Sequence, residues 1–113
     1  ESSVHETIYE DRFGYADDLN SLGAKIDVKT DCTHGETCRF AGKGFRHAAV
    51  IHGPTPLRGG NLRVRDLRSG IVNVIAALVA EGESVIEGVE EIDRGYEKID
   101  ERLRNLGAEM RRV

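Results

Sequence analysis

Hydrophobic and polar positions change period along this chain, and the changes mark its elements. Residues 3–10, SVHETIYE, mix β-branched, aromatic and polar side chains as a half-buried strand does. From 11 to 22 the apolar positions Phe13, Tyr15, Ala16, Leu19 and Leu22 recur at helical spacing, and Gly23 follows where a helix stop is expected. AKIDVK at 24–29 alternates as a strand, whereas 31–46 is polar and rich in glycine and basic residues, which predicts an irregular loop. HAAVIHG at 47–53 reads as a buried strand closed by the Gly53-Pro54 turn, and 61–65 as a short strand after Gly59-Gly60. Residues 66–81 are apolar at 67, 71, 72, 74, 75, 76, 78 and 79, a stripe wide enough for a helix buried on most sides. Gly82 ends it, 83–88 reads as a further strand, and 93–106 as an amphipathic helix with Tyr96, Ile99, Leu103 and Leu106 on one face. AEMRRV at 108–113 is expected to be the last strand. Strands alternating with helices predict an α/β architecture.

An internal echo strengthens that expectation. Leu19, Leu22, Gly23, Ala24 and Ile26 match Leu103, Leu106, Gly107, Ala108 and Met110 at a constant offset of 84. A helix ending in L-x-x-L-G-A and feeding a strand therefore occurs twice, and a fold built from repeated units follows. Glycine at the third conserved position can take the left-handed conformation that stops a helix.

Composition narrows the function classes. With 113 residues, 39% apolar and 32% charged, the chain suits one small globular domain and not a disordered tail. No apolar run approaches the roughly 20 residues of a membrane helix, and no basic-then-apolar leader opens the chain, so a cytoplasmic location is expected. The net charge of −4 argues against a nucleic-acid binder. Twelve of the 16 basic residues are Arg, whose planar fork suits carboxylate and phosphate oxygens. A small anionic ligand and a solvated, Arg-rich surface are both compatible with that bias. No Walker loop, nucleophile elbow or H-E-x-x-H stretch is present. Cys32 and Cys38, with His34 between them and His47 and His52 downstream, raise a metal site, but C-x5-C lacks the tight knuckle of structural zinc, so none is expected.

Three motifs in order, ETIYEDRFGYADDLNSLGAKIDV, VRDLRSG with IAALVAEGES, and EIDRGYEKIDERLRNLGAEMRRV, resemble the C-terminal part of the enolpyruvyl transferase family, specifically the UDP-N-acetylglucosamine 1-carboxyvinyltransferases. The resemblance spans all residues except the 31–46 loop. It implies an inside-out α/β barrel built from repeated βαβαββ units, of which residues 1–113 would supply about one and a half within one domain. It also implies transfer of enolpyruvyl from phosphoenolpyruvate to UDP-N-acetylglucosamine, the first committed step of peptidoglycan synthesis, without a cofactor, metal, nucleic acid or membrane. The family's reactive cysteine, its N-terminal lysine and its upstream catalytic aspartate have no counterpart in this sequence. Residues 1–113 are therefore expected to be inactive alone and to act with the remaining N-terminal part of the enzyme. A non-catalytic binding or assembly module retaining the fold is the competing expectation.

Individual residues carry these expectations. Arg94 is placed at the first turn of the 93–106 helix, where unpaired backbone N–H groups and the dipole already favour an anion. From the residues alone, a surface pair with Asp93 or Glu97 competes; the resemblance makes Arg94 the arginine that contacts phosphoenolpyruvate. Asp66 is the expected N-cap of the 66–81 helix, and the resemblance places Asp66 and Leu67 in the cleft beside the reacting groups. Arg94 and Asp66 are the catalytic candidates. Ile8 would ordinarily be a strand's core residue; the resemblance assigns it to the UDP-sugar, with Arg12 near the same cleft. Asp11 stands where the family motif has asparagine, which removes two hydrogen-bond donors.

Overall fold

A computed structural model describes residues 1–31, 38–40 and 42–113; Cys32 and His34 lie outside the described residues. The chain forms two compact units, Glu1–Leu57 and Arg58–Val113.

The first unit contains β1 (Ser2–His5), α1 (Gly14–Ser21), β2 (Lys25–Lys29) and β3 (Ala48–His52). β3 lies between the other two strands and pairs with both in antiparallel register, His5 and Lys29 each facing Ala48. In β2, Ile26 turns inward and the flanking Lys25 and Asp27 outward, the alternation that the sequence predicts. Ile26 joins Phe13, Ala16 and Ala49 in the core beneath α1. Asn20 fastens that helix to the sheet: its side-chain amide donates to the Ile26 carbonyl and accepts from the Ile26 N–H, both at 2.9 Å. One side chain thus supplies the pair of bonds a neighbouring strand would make.

The second unit contains β4 (Asn61–Arg63), α2 (Leu67–Val79), β5 (Val85–Glu87), α3 (Glu90–Asp93) and α4 (Ile99–Asn105). β4 and β5 are parallel, joined through α2, with Asn61 opposite Val85. Val64, Val74 and Ile92 form the core, packed by Ile71, Ile86, Tyr96, Ile99, Leu103 and Met110 among others.

The helix stop of the repeat recurs at atomic detail, while the strand expected after it forms only in the first copy, as β2. In the first copy the Gly23 N–H donates to the Asn20 carbonyl at 3.0 Å and the Ala24 N–H to the Leu19 carbonyl at 3.1 Å. In the second, Gly107 donates to Arg104 at 2.9 Å and Ala108 to Leu103 at 3.0 Å. These are the two bonds of a Schellman stop, with Gly23 at φ +106 and Gly107 at φ +103.

Four expectations need correction. The strand placed at 3–10 ends at His5, because residues 6–10 fold into a turn stabilised by the Glu6 side chain. The single helix placed at 93–106 is two: α3 ends at Asp93, and α4 starts after Lys98, which takes the left-handed φ of 49. Between them Gly95 disfavours helix through its backbone freedom, and Leu106, placed on the apolar face, is 85% exposed. The strand expected at 108–113 does not form; Arg112 there is drawn instead into ion pairs with Asp93 and Asp100. Finally, α2 is covered on one side only, since Ile75, Leu78 and Val79 remain exposed.

Candidate functional site

Residues 6–12 form the first candidate surface. The Glu6 carboxylate accepts the Ile8 N–H at 2.8 Å and the Tyr9 N–H at 3.2 Å. The bond from Ile8, foremost among its influences, holds the Glu6 carboxyl below its ordinary pKa. This turn lifts Ile8 out of any core, to 60% exposure. Its carbonyl accepts from the Arg39 guanidinium at 2.8 Å. Arg12 lies over the Tyr9 ring, 4.2 Å from its centroid, in cation–π contact. Ile8, Tyr9 and Arg12 are thus displayed together.

The Asp11 departure also has a local account. Asp11 takes φ 51, a left-handed conformation that Asp and Asn tolerate better than other residues bearing side chains. Its carboxylate meets Arg46 at 3.1 Å, and Asp17 meets the same guanidinium at 3.3 Å. These partners, Asp11 first, raise the Arg46 pKa above its usual value. The carboxylate that replaces an amide here holds the end of the 31–46 segment to the start of α1.

The second candidate surface joins two motifs of the second unit. Asp66 is extended, as an N-cap must be, and its Oδ1 accepts the Arg68 N–H at 2.9 Å and the Ser69 N–H at 3.0 Å. Its Oδ2 accepts the Ser69 hydroxyl at 3.0 Å. Leu67, the first residue of α2, then lies against the backbone of Gly95: a β-carbon added to Gly95 would stand 2.5 Å from Leu67 Cδ2. The D-L pair and the D-R-G-Y stretch, separate in sequence, therefore meet through a leucine seated on a glycine. Arg94 is the neighbour of that contact.

Arg94 does not occupy the helix start expected for it. It is the C-cap of the four-residue α3, at the carbonyl end, where a helix dipole offers an anion nothing. Any affinity for an anion must come from the guanidinium itself. That group is 72% exposed and pairs with Glu91 at 3.1 Å, not with Asp93 or Glu97. An exposed pair of this kind is worth little, so exchange of Glu91 for a bound carboxylate or phosphate carries a small cost. Asp93 instead receives both terminal nitrogens of Arg112, at 3.0 and 2.6 Å, and Arg112 also reaches Asp100 at 3.0 Å. These bonds hold both carboxyls below their ordinary values, Asp100 at about 2. Sequence reading missed Arg112, whose partners lie 19 and 12 residues away. Ile8 and Arg12 belong to the first unit, Asp66, Leu67 and Arg94 to the second.

Comparison with known proteins identifies the family. A family model described as EPSP synthase (3-phosphoshikimate 1-carboxyvinyltransferase) matches residues 1–103. The UDP-N-acetylglucosamine 1-carboxyvinyltransferase of Protochlamydia amoebophila is 49% identical over 107 residues, 95% of this chain and 23% of that protein. That of Chlamydia trachomatis serovar D is 44% identical over 110 residues, 96% of this chain and 25% of that protein. The crystal structure of the enolpyruvyl transferase NikO from Streptomyces tendae superposes with a TM-score of 0.78 at 29% identity, covering 97% of this chain and 22% of that one. The chain thus spans about a quarter of the length of these relatives. The mixed helix-and-sheet architecture is that of part of the α/β enolpyruvyl transferase fold.

Proposed function

Because this chain belongs to the EPSP synthase family, we propose that it contributes the C-terminal part of a UDP-N-acetylglucosamine 1-carboxyvinyltransferase. The observation that carries the reading is the 44–49% identity, along nearly all of this chain, to proteins named for that activity. The reaction adds a sugar hydroxyl to C2 of phosphoenolpyruvate and then releases phosphate, so negative charge is redistributed between carboxylate, phosphate and the forming tetrahedral centre. Fixed cations beside that centre stabilise it without having to reorganise. Arg94 takes this role: its guanidinium is exposed and only lightly engaged. Leu67, against Gly95, fixes the backbone from which Arg94 projects. Asp66 caps α2 and presents a carboxylate at the same end of that helix. Ile8 and Arg12, on their own turn, serve the UDP-sugar. The product would enter peptidoglycan synthesis in the cytoplasm, and through it cell shape and division.

Residues 1–113 alone are expected to be inactive. The decisive experiment supplies the region corresponding to the remaining three quarters of the relatives in trans and measures phosphate release with both substrates. Turnover that depends on both parts, and falls at least about 100-fold in Arg94→Ala, the cost of losing one preorganised charge-stabilising group, supports the reading. UDP-sugar binding without turnover would replace it with a binding module. Full activity in Arg94→Ala would remove Arg94 from the mechanism.

A further inference from the structure

We propose that His5, Cys38 and His47 form a binding site for a divalent transition metal, with Zn²⁺ the ion their nitrogen and sulfur atoms suit. Each of the three offers a ligand atom, and these atoms all lie within 4.8 Å of one another.

The backbone brings the histidines together. His5 ends β1 opposite Ala48, and the Glu6 N–H donates to the His47 carbonyl at 2.8 Å. The His47 N–H donates in turn to the Lys29 carbonyl at 3.1 Å, so His47 is gripped from both outer strands. The two imidazole centroids are 5.5 Å apart. Cys38 closes the group, its Sγ 3.4 Å from His5 Nε2. A tetrahedral zinc ion, about 2.3 Å from sulfur and about 2.0 Å from nitrogen, separates such a pair by about 3.5 Å. The sulfur–nitrogen edge of a zinc site is therefore already present.

His47 is also prepared electronically. It is fully buried, and its Nδ1 lies 2.7 Å from the Phe45 carbonyl. A carbonyl only accepts, so Nδ1 carries a proton, and Nε2 is the nitrogen with which His47 would ligate a metal. A ligating histidine whose other nitrogen donates to a backbone carbonyl is the usual outer support of a zinc site. The buried Phe40 ring, 5.6 Å from His47, shields one side from water. Three protein ligands leave a fourth position for water or an exogenous ligand. The weak C-x5-C spacing concealed this group, because its third member, His5, is 33 residues from Cys38.

The test uses the intact chain, reduced and stripped of metal, with Co²⁺ and then Zn²⁺ as probes. One equivalent of Co²⁺ is expected to bind with the intense visible bands of tetrahedral coordination and a thiolate-to-metal charge-transfer band. Zn²⁺ should displace it and raise Tm in a concentration-dependent manner. Cys38→Ser should abolish the charge-transfer band. Cys38→Ser and His5→Asn should each weaken Zn²⁺ binding more than the roughly 10–100-fold typical of losing an outer support. His52→Asn, whose ring pairs with Glu1 and Asp27, should leave binding unchanged. Because replacing buried His47 perturbs folding as well as binding, X-ray absorption at the zinc edge of the unmutated chain gives a second reading, with one sulfur and two imidazole nitrogens expected. Failure to take up one equivalent, a spectrum without thiolate character, or equal affinity in folded Cys38→Ser or His5→Asn overturns the proposal.

Discussion

Asp66 combines a structural duty with a proposed chemical one, and two substitutions separate them. Asp66→Ala removes all three hydrogen bonds that the carboxylate accepts. Arg68 is exposed, so water replaces the partner of its N–H, but Ser69 is 8% exposed and its N–H is left poorly solvated. The loss should therefore fall near the upper end of the capping range, about 2 kcal/mol. Asp66→Asn keeps an oxygen for both backbone N–H groups, since Asn caps as well as Asp. It forfeits the attraction between a negative charge and the helix N-terminus, about 0.5 kcal/mol. It also forfeits the Oδ2 acceptor of the Ser69 hydroxyl, which keeps the backbone carbonyl of Asp66 at 3.3 Å. Urea unfolding followed by far-UV circular dichroism measures both variants at an unchanged m-value. The same proteins are then assayed for phosphate release with the complementing region. If Asp66 also serves the reaction, Asp66→Asn loses activity while retaining most of its stability. Equal destabilisation by Asn and Ala would refute the capping argument, and full activity in Asp66→Asn would refute the chemical one.

Two further outcomes follow from packing and charge. Gly95→Ala places a methyl 2.5 Å from Leu67 Cδ2, and the strain should cost about 1–2 kcal/mol; in a Leu67→Ala background the same change should be nearly neutral, a coupling that a double-mutant cycle in urea reads directly. The Arg112 cluster predicts the acid limb of stability. Asp100 has a folded-state value of about 2 and an unfolded value of about 4, so its contribution is complete above the unfolded value and is lost as pH falls through this window. Arg112→Gln should flatten the pH dependence of the urea midpoint between about pH 4 and 2, and an unchanged slope would show that the cluster contributes nothing.

Local signals determined much of this chain by themselves. Strand alternation around Ile26 and the Asp66 cap need only neighbours in sequence, and each formed as read; the apolar stripe of α2 marked a helix, though not one covered on most sides. The L-x-x-L-G-A echo was legible for the same reason, because a Schellman stop is closed within six residues by glycine's access to positive φ. Residue pattern also placed Leu67 beside Asp66 and Arg94 beside Gly95.

Tertiary structure decided what depends on partners far along the chain. Whether residues 93–106 would run as one helix turned on Gly95 receiving Leu67, and on Arg112 binding Asp93 and Asp100 in place of a final strand. That break moved Arg94 from a helix start to a helix end, a reversal of local field that no pattern of its neighbours records. The approach of His5 to His47 is likewise a product of sheet register, since the pairing of β1 with β3 sets His5 opposite Ala48, the residue after His47. Periodicity reports which face of an element is apolar; only packing fixes which distant side chain arrives at it, because the free energy that selects the partner is released when the two surfaces close.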